Sequence, residues 1–231
     1  MEKKPQIAAT YDEMFREGGY QGVFDLHYKR SPYYPMFRDV RRALLRSKSQ
    51  RVLEVGCGTG TMAHMLYDST QLSYRGFDFS PVAIDRAKQR TGRSDAFFVG
   101  DATSESTYTN LDYDSIICTE VLEHIEDDLL AMSHWAPGTF CVCSVPNYDA
   151  DNHVRFFRSI DEVAKRYGTM LDLQAIDTRR KPFLDDLSVA NWLQAAKWNR
   201  YRPDRLLWLL GISNFDDDGG WYIFSGRRRS T

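Results

Sequence analysis

The sequence predicts an α/β fold: a seven-stranded, mostly parallel sheet with helices on both faces, an N-terminal helical cap and a helical insertion before the last strand. Three observations carry that prediction. From Arg51 onward, short apolar runs alternate with helical patterns, the rhythm of a parallel sheet covered on both sides. The first run, residues 52–55, passes directly into Gly56-Cys57-Gly58-Thr59-Gly60, whose glycines let the backbone turn sharply into a helix. The next strands then end on acidic residues, at Asp78, at Gly100-Asp101 and at Glu120.

Residues 7–47 read as helices laid ahead of the sheet and broken at Gly18-Gly19. They are rich in aromatics, Tyr11, Phe15, Tyr20 and Phe24 among them, which either pack the core or cover a ligand. The 29–35 stretch, with two cations and two prolines, suits one wall of a substrate pocket. The second strand, 74–77, precedes Ser80-Pro81, an N-cap followed by a proline in the first turn. Strands three, four and five are expected over 96–99, 115–119 and 139–145, the fifth ended by Pro146. Ser159 caps a helix running to about Tyr167, a sixth strand covers 171–176, and the last, 221–225, is expected antiparallel at or near the edge. Residues 187–210 hold two helical patterns split at Pro203, longer than a sheet connection needs. The divisions are then a cap at 1–48, a core at 49–180, an insertion at 181–212 and the last strand and tail at 213–231.

A length of 231 residues with 42% hydrophobic content suits one domain. The net charge of −2 gives no overall field toward nucleic acid or lipid. The basic residues of 197–205 read as the solvated face of a helix, and those of 227–229 as a tail. No apolar stretch reaches the length of a membrane span, and residues 1–6 lack the apolar core of a secretion leader. A cytoplasmic protein without a membrane partner is expected, as a monomer or homodimer. Cys57, Cys118, Cys141 and Cys143 form no Cys-x-x-Cys pair, and reduced buried thiols are expected.

The glycine loop would set a ligand against bare N–H groups at a helix N-terminus. Asp78, eighteen residues beyond Gly60, stands where a nucleotide site wants a carboxylate for the ribose hydroxyls. Asp101 could reach an adenine amino group. With Glu120-Val121-Leu122-Glu123-His124 after strand four, the chain resembles the class I S-adenosylmethionine-dependent methyltransferases over roughly residues 50–180, nearest in motif to the small-molecule O-methyltransferases. The resemblance implies a strand order of 3-2-1-4-5-7-6 and S-adenosylmethionine as methyl donor. It implies that Glu54, Gly56, Gly58 and Gly60 line the methionine moiety, Asp78 holds the ribose, and Asp101 with Ala102 meets the adenine between Phe79 and Ile84. Tyr11, Cys57, Ser80, Gly100, Thr119 and Glu120 complete the expected cofactor shell.

Methyl transfer mainly requires alignment of the nucleophile, and a hydroxyl or amine acceptor also loses a proton. His124 and His153, with Glu123, are the candidate catalytic groups; His27, His64 and His134 read as ordinary surface or helix residues. On a helical turn, Glu120, Glu123 and His124 would share one face. With His153 they make a set suited to a divalent cation. The Glu-x-x-Glu-His pattern also resembles that of the small-RNA 3′-end 2′-O-methyltransferases and the ubiquinone-pathway O-methyltransferases, in which the matching residues hold a metal. The expected activity is O-methylation of a small polar metabolite or sugar. Rival readings are N-methylation of a small amine, metal-dependent RNA methylation, hydride transfer with a nicotinamide cofactor, and cofactor binding without catalysis. The hydride-transfer loop would usually read Gly-x-Gly-x-x-Gly, and Thr61 breaks that pattern.

Overall fold

The computed structural model describes residues 8–212 and 215–230; the leader reading of residues 1–6 lies outside them. Helix α1 spans Ala8–Arg16 and α2 spans Tyr34–Ser47, with 3-10 turns over Tyr20–Asp25 after the Gly18-Gly19 break. Met36, Phe37, Val40 and Leu44 form the buried stripe of α2, at the spacing that keeps one helix face on a core. Strand β1, Arg51–Val55, leads through the glycine loop to α3, Thr61–Ser69, then to β2, Ser73–Asp78. Helix α4, Pro81–Thr91, starts where the Ser80 hydroxyl accepts the Ala83 N–H at 3.1 Å. Strand β3 is Phe97–Val99 and β4 is Ser115–Thr119; α5, Asp128–Ser133, precedes β5, Phe140–Pro146. Helix α6, Ile160–Tyr167, is capped by Ser159, and β6 runs Leu171–Arg180. The insertion holds α7, Val189–Trp198, and α8, Pro203–Leu209, followed by α9, Phe215–Asp218, and β7, Gly220–Arg228.

The seven strands form one sheet in the order β3-β2-β1-β4-β5-β7-β6. β1 pairs parallel with both β2 and β4, which puts the glycine loop in the middle of the C-terminal rim. β7 is antiparallel to both neighbours and lies one strand in from the edge. β6 takes the edge itself, extends past the expected Ile176 to Arg180, and carries a register shift between Leu173 and Ala175. Successive residues send their side chains to opposite faces. Val52, Ile117 and Val142 pack under α2, α3 and α4 with Val40, Met62 and Ile84, whereas Leu53, Ile116 and Cys143 pack with Trp135 and Tyr167. All four thiols are free and buried. Among the described residues, no helix is long and apolar enough to cross a membrane.

Candidate functional site

A cavity of about 720 Å³ opens over the C-terminal ends of β1, β2 and β4, the place where an α/β sheet binds ligands. Its floor is the glycine loop. Gly56 sits at φ 69°, where a Cβ would lie 2.3 Å from a Val121 methyl. At Gly60, φ 74°, a Cβ would press on Ala87 at 3.0 Å and force α3 and α4 apart. Gly60 is thus a packing glycine, outside the cavity lining, while Gly56, Cys57 and Gly58 border it.

Asp78 closes the end of β2 over this loop. It accepts the Gly58 N–H and the Ser80 N–H, each at 3.0 Å, one on each carboxylate oxygen. Burial pushes its pKa up to about 6, and those two N–H groups hold it lower than burial alone would. Glu54, buried on β1, accepts the Tyr74 hydroxyl, and burial pushes it up to about 8. Gly100, Asp101, Ala102 and Thr119 line the cavity beside them. Asp101 is exposed and accepts the Thr103 N–H at 2.8 Å.

Besides Gly60, two expected cofactor residues stand elsewhere. Ile84, three residues into α4, faces the sheet and is buried in the core with Ala87. Ser80 serves as the α4 cap and donates to Asp12. The aromatic wall comes instead from Phe77, Phe79 and Tyr11, the last two edge to face at 5.2 Å. Burial pushes the Tyr11 phenol up to about 12.

The far end of the cavity is built differently from the helical turn expected for Glu120, Glu123 and His124. Glu120 is left-handed, φ 56°, and only Leu122–His124 form a single 3-10 turn. Reciprocal bonds with Ser144 fix that conformation: the Ser144 hydroxyl accepts the Glu120 N–H and donates to its carboxylate, both at 3.1 Å. Glu120 and His124 still line the cavity, and Glu123 is buried beside both. Burial pushes Glu120 up to about 7 and Glu123 well above the carboxylate range, the Glu120 charge adding to the second shift. Glu123 is fully buried beside the Glu120 carboxyl group, and neither of its oxygens meets an N–H or hydroxyl donor among the described residues.

His124 Nδ1 lies 2.9 Å from the Asn152 carbonyl, which can only accept, so the proton is assigned to Nδ1 and Nε2 keeps its lone pair. That Nε2 is 3.9 Å from a Glu123 oxygen. Burial lowers the His124 pKa to about 4, so the ring is neutral at physiological pH. His153, itself buried, donates from Nδ1 to the Tyr148 carbonyl at 3.2 Å and lies 5.1 Å from the His124 ring. The candidate ligand atoms of Glu123, His124 and His153 all lie within 4.8 Å of one another. His27, His64 and Asp68 make a second, surface group, but Lys29 and Arg90 beside it oppose a cation there.

The 147–158 loop is joined to the turn after β4 by Arg155. Its guanidinium turns away from the cavity and donates to the carbonyls of Leu122, Ile125 and Glu126. The Val154 N–H donates to the Glu123 carbonyl at 2.8 Å. Asp128, fully buried, binds Arg155 at 3.3 Å, Arg166, and the Tyr167 hydroxyl at 2.9 Å. No sequence pattern pointed to Asp128, or to Tyr148 and Asn152, whose carbonyls orient the two imidazoles. The lining contains four carboxylates, Glu54, Asp78, Asp101 and Glu120, and among the described residues no lysine or arginine.

A methyltransferase-domain family model matches residues 27–202. No curated protein matches the chain by sequence. Among solved structures, an S-adenosylmethionine-dependent methyltransferase from Geobacter sulfurreducens in complex with S-adenosyl-L-homocysteine is 18% identical, with 95% of this chain and 98% of that chain covered and a TM-score of 0.58. The N-methyltransferase NodS of Bradyrhizobium japonicum, also with S-adenosyl-L-homocysteine, is 20% identical over 85% and 88% of the two chains, TM-score 0.56. The [4+2]-cyclase SpnF is 17% identical over 98% and 97%, TM-score 0.61, so the fold alone does not select a reaction. A glycine loop without side chains in the cavity floor, a buried carboxyl group at Asp78 and an aromatic wall fit an adenosyl ligand. With the family model matched over most of its length, the chain belongs to the methyltransferase-domain family and takes S-adenosylmethionine as its methyl donor.

Proposed function

We propose that the enzyme methylates a hydroxyl of a small, uncharged polar metabolite or sugar in the cytoplasm. The observation that carries this reading is the far end of the cavity. A neutral imidazole offers Nε2 there beside a buried carboxyl group, and the lining has no lysine or arginine among the described residues to receive a phosphate or carboxylate. A phosphorylated or polyanionic acceptor, RNA included, would find no lining cation among the described residues to offset its charge. An amine is the runner-up. We assign residues 8–48 and 181–212 to the acceptor side, supported by Ser31 and Tyr33 in the lining and by the ion pair between Arg30 and Asp186.

S-adenosylmethionine, when bound, supplies a methyl group on a sulfonium that leaves without protonation. The residues here then have two tasks: to hold the acceptor oxygen in line, and to take its proton. His124 Nε2 is the acceptor for that proton, and Nδ1–H on the Asn152 carbonyl keeps the ring oriented. An imidazole held near pKa 4 is a weak base, so alignment contributes most of the rate.

A second reading has its own support. Glu123 is buried beside the Glu120 carboxyl group with no N–H or hydroxyl donor among the described residues, and its ligand atom lies within 4.8 Å of those of both histidines. Such a donor set fits a divalent cation, which Glu123, His124 and His153 would hold with Glu120 adjacent, and whose chemistry is to lower the pKa of the acceptor hydroxyl.

Release of S-adenosylhomocysteine across neutral sugars and polyols, small amines and phosphorylated counterparts tests the acceptor class. Turnover is expected on the neutral hydroxyl compounds, with His124→Ala lowering kcat about 10²-fold and chelators without effect. Chelator sensitivity reversed by a divalent cation, with Glu123→Ala as harmful as His124→Ala, would establish the metal reading. Turnover on amines alone would replace the hydroxyl reading, and near-native His124→Ala and His153→Ala variants would remove both histidines from catalysis.

A further inference from the structure

The hairpin α7–α8 leaves most of its apolar side chains outside the protein. Residues 189–212 carry eight of the fourteen large apolar side chains exposed among the described residues. Trp198 is 71% exposed and Tyr201 81%, with Val189, Leu193, Leu210 and Ile212 each beyond half. Within the two helices only Ala195 is buried. The hairpin is held through Trp208, whose Nε1–H donates to the Lys181 carbonyl at 3.1 Å and whose ring meets Phe183 edge to face. Set among the apolar groups are Lys197, Arg200, Arg202 and Arg205, against the one carboxylate of Asp204.

We propose that this hairpin docks the enzyme on a lipid bilayer surface that bears anionic headgroups. Tryptophan, tyrosine and leucine that enter the headgroup layer, beside lysine and arginine that meet lipid charge, make an interfacial surface. Each helix is far too short to cross a membrane, so the hairpin lies on it. The net charge of −2 pointed away from lipid, but the field that acts within about 10 Å of a surface is the local one, and here it is positive. A second copy of this chain is the poorer occupant. A two-fold contact would set this patch on itself and bring its cations together.

The hairpin also adjoins the cavity. Just before α7, the Leu187 N–H donates to the Arg30 carbonyl at 2.7 Å, and the next residue, Ser31, lines the cavity. Lys181 lies 5.5 Å from the centre of the Tyr148 ring, also in the lining. Docking therefore holds the acceptor end of the cavity near the lipid surface.

The test is flotation of the full chain with phosphatidylcholine vesicles, with and without phosphatidylglycerol. Binding is expected on the anionic vesicles, roughly tenfold or more above the neutral ones, and it should fall as salt rises. Trp198→Asp with Tyr201→Asp, and separately Lys197→Glu with Arg205→Glu, should each lower it about tenfold or more. Both variants should keep S-adenosylmethionine affinity, which shows that they are folded. No binding to anionic vesicles at low salt, or equal binding by either folded variant, overturns the proposal. So does a wild-type dimer that the Trp198 and Tyr201 variant dissociates while vesicles stay unbound, or binding of an RNA oligonucleotide in place of the vesicles.

Discussion

Burial sets the charge of the cavity before any ligand arrives. Glu54 rises from 4.5 to about 8 because it is buried inside β1, and the Tyr74 hydroxyl that it accepts holds it lower than burial alone would. Its folded pKa is above its unfolded one, so its contribution to stability is fully present below about 4.5 and is lost as pH rises to about 8. Glu54→Gln cannot ionise. The thermal midpoint of that variant should fall less between pH 5 and about pH 8 than that of the wild type; an identical fall in both would place the pH dependence elsewhere. The places of Asp78 and Glu54 in the cavity lining were legible because a strand end and a glycine loop fix where they must lie. Ile84 was not. Three residues past Pro81, a helical side chain turns toward the sheet, and only the packing of α4 against Ala87 and its neighbours decides that.

Elements show a second kind of limit on sequence reading. Spacing of i, i+3 and i+4 suggested a helical turn for Glu120, Glu123 and His124, yet the chain reverses at Glu120 and forms a 3-10 turn. The cause is Ser144 on the neighbouring strand, a contact that local sequence does not encode. Arg155 is similar: its three carbonyl partners lie about thirty residues back in the chain. Arg155→Ala should cost about 2 kcal/mol of stability by orphaning those carbonyls and loosening Asp128. It should also raise the acceptor KM, because the Glu123 backbone is held by the same loop. Denaturant unfolding and steady-state kinetics would check both, and an unchanged midpoint would show that the clamp is dispensable. For the insertion, replacing residues 187–210 by a short Gly-Ser linker should leave cofactor affinity intact while acceptor turnover drops. Normal turnover in that folded variant would make the insertion irrelevant to the acceptor.

At the scale of the whole molecule, the alternation of strands and helices was legible because a parallel sheet buries both of its faces and so writes continuous apolar runs. The strand order came from resemblance to a known family. The place of β7, antiparallel and inside β6, depends on long-range pairing that periodicity does not reveal. That sheet puts β1, β2 and β4 side by side, so the glycine loop, Asp78 and the Glu120 turn meet over one rim although they are far apart in sequence. The proposed function then rests on one cavity, in which Asp78 is expected to hold the methyl donor. Calorimetric titration of S-adenosylmethionine into wild type and Asp78→Ala measures that directly. The expected result is a loss of about 1.5–3 kcal/mol, roughly ten- to a hundredfold in Kd. Wild-type affinity should also decline as pH falls below about 6, where the carboxylate takes up a proton. Equal affinity of the two proteins would contradict the placement of the donor in this cavity.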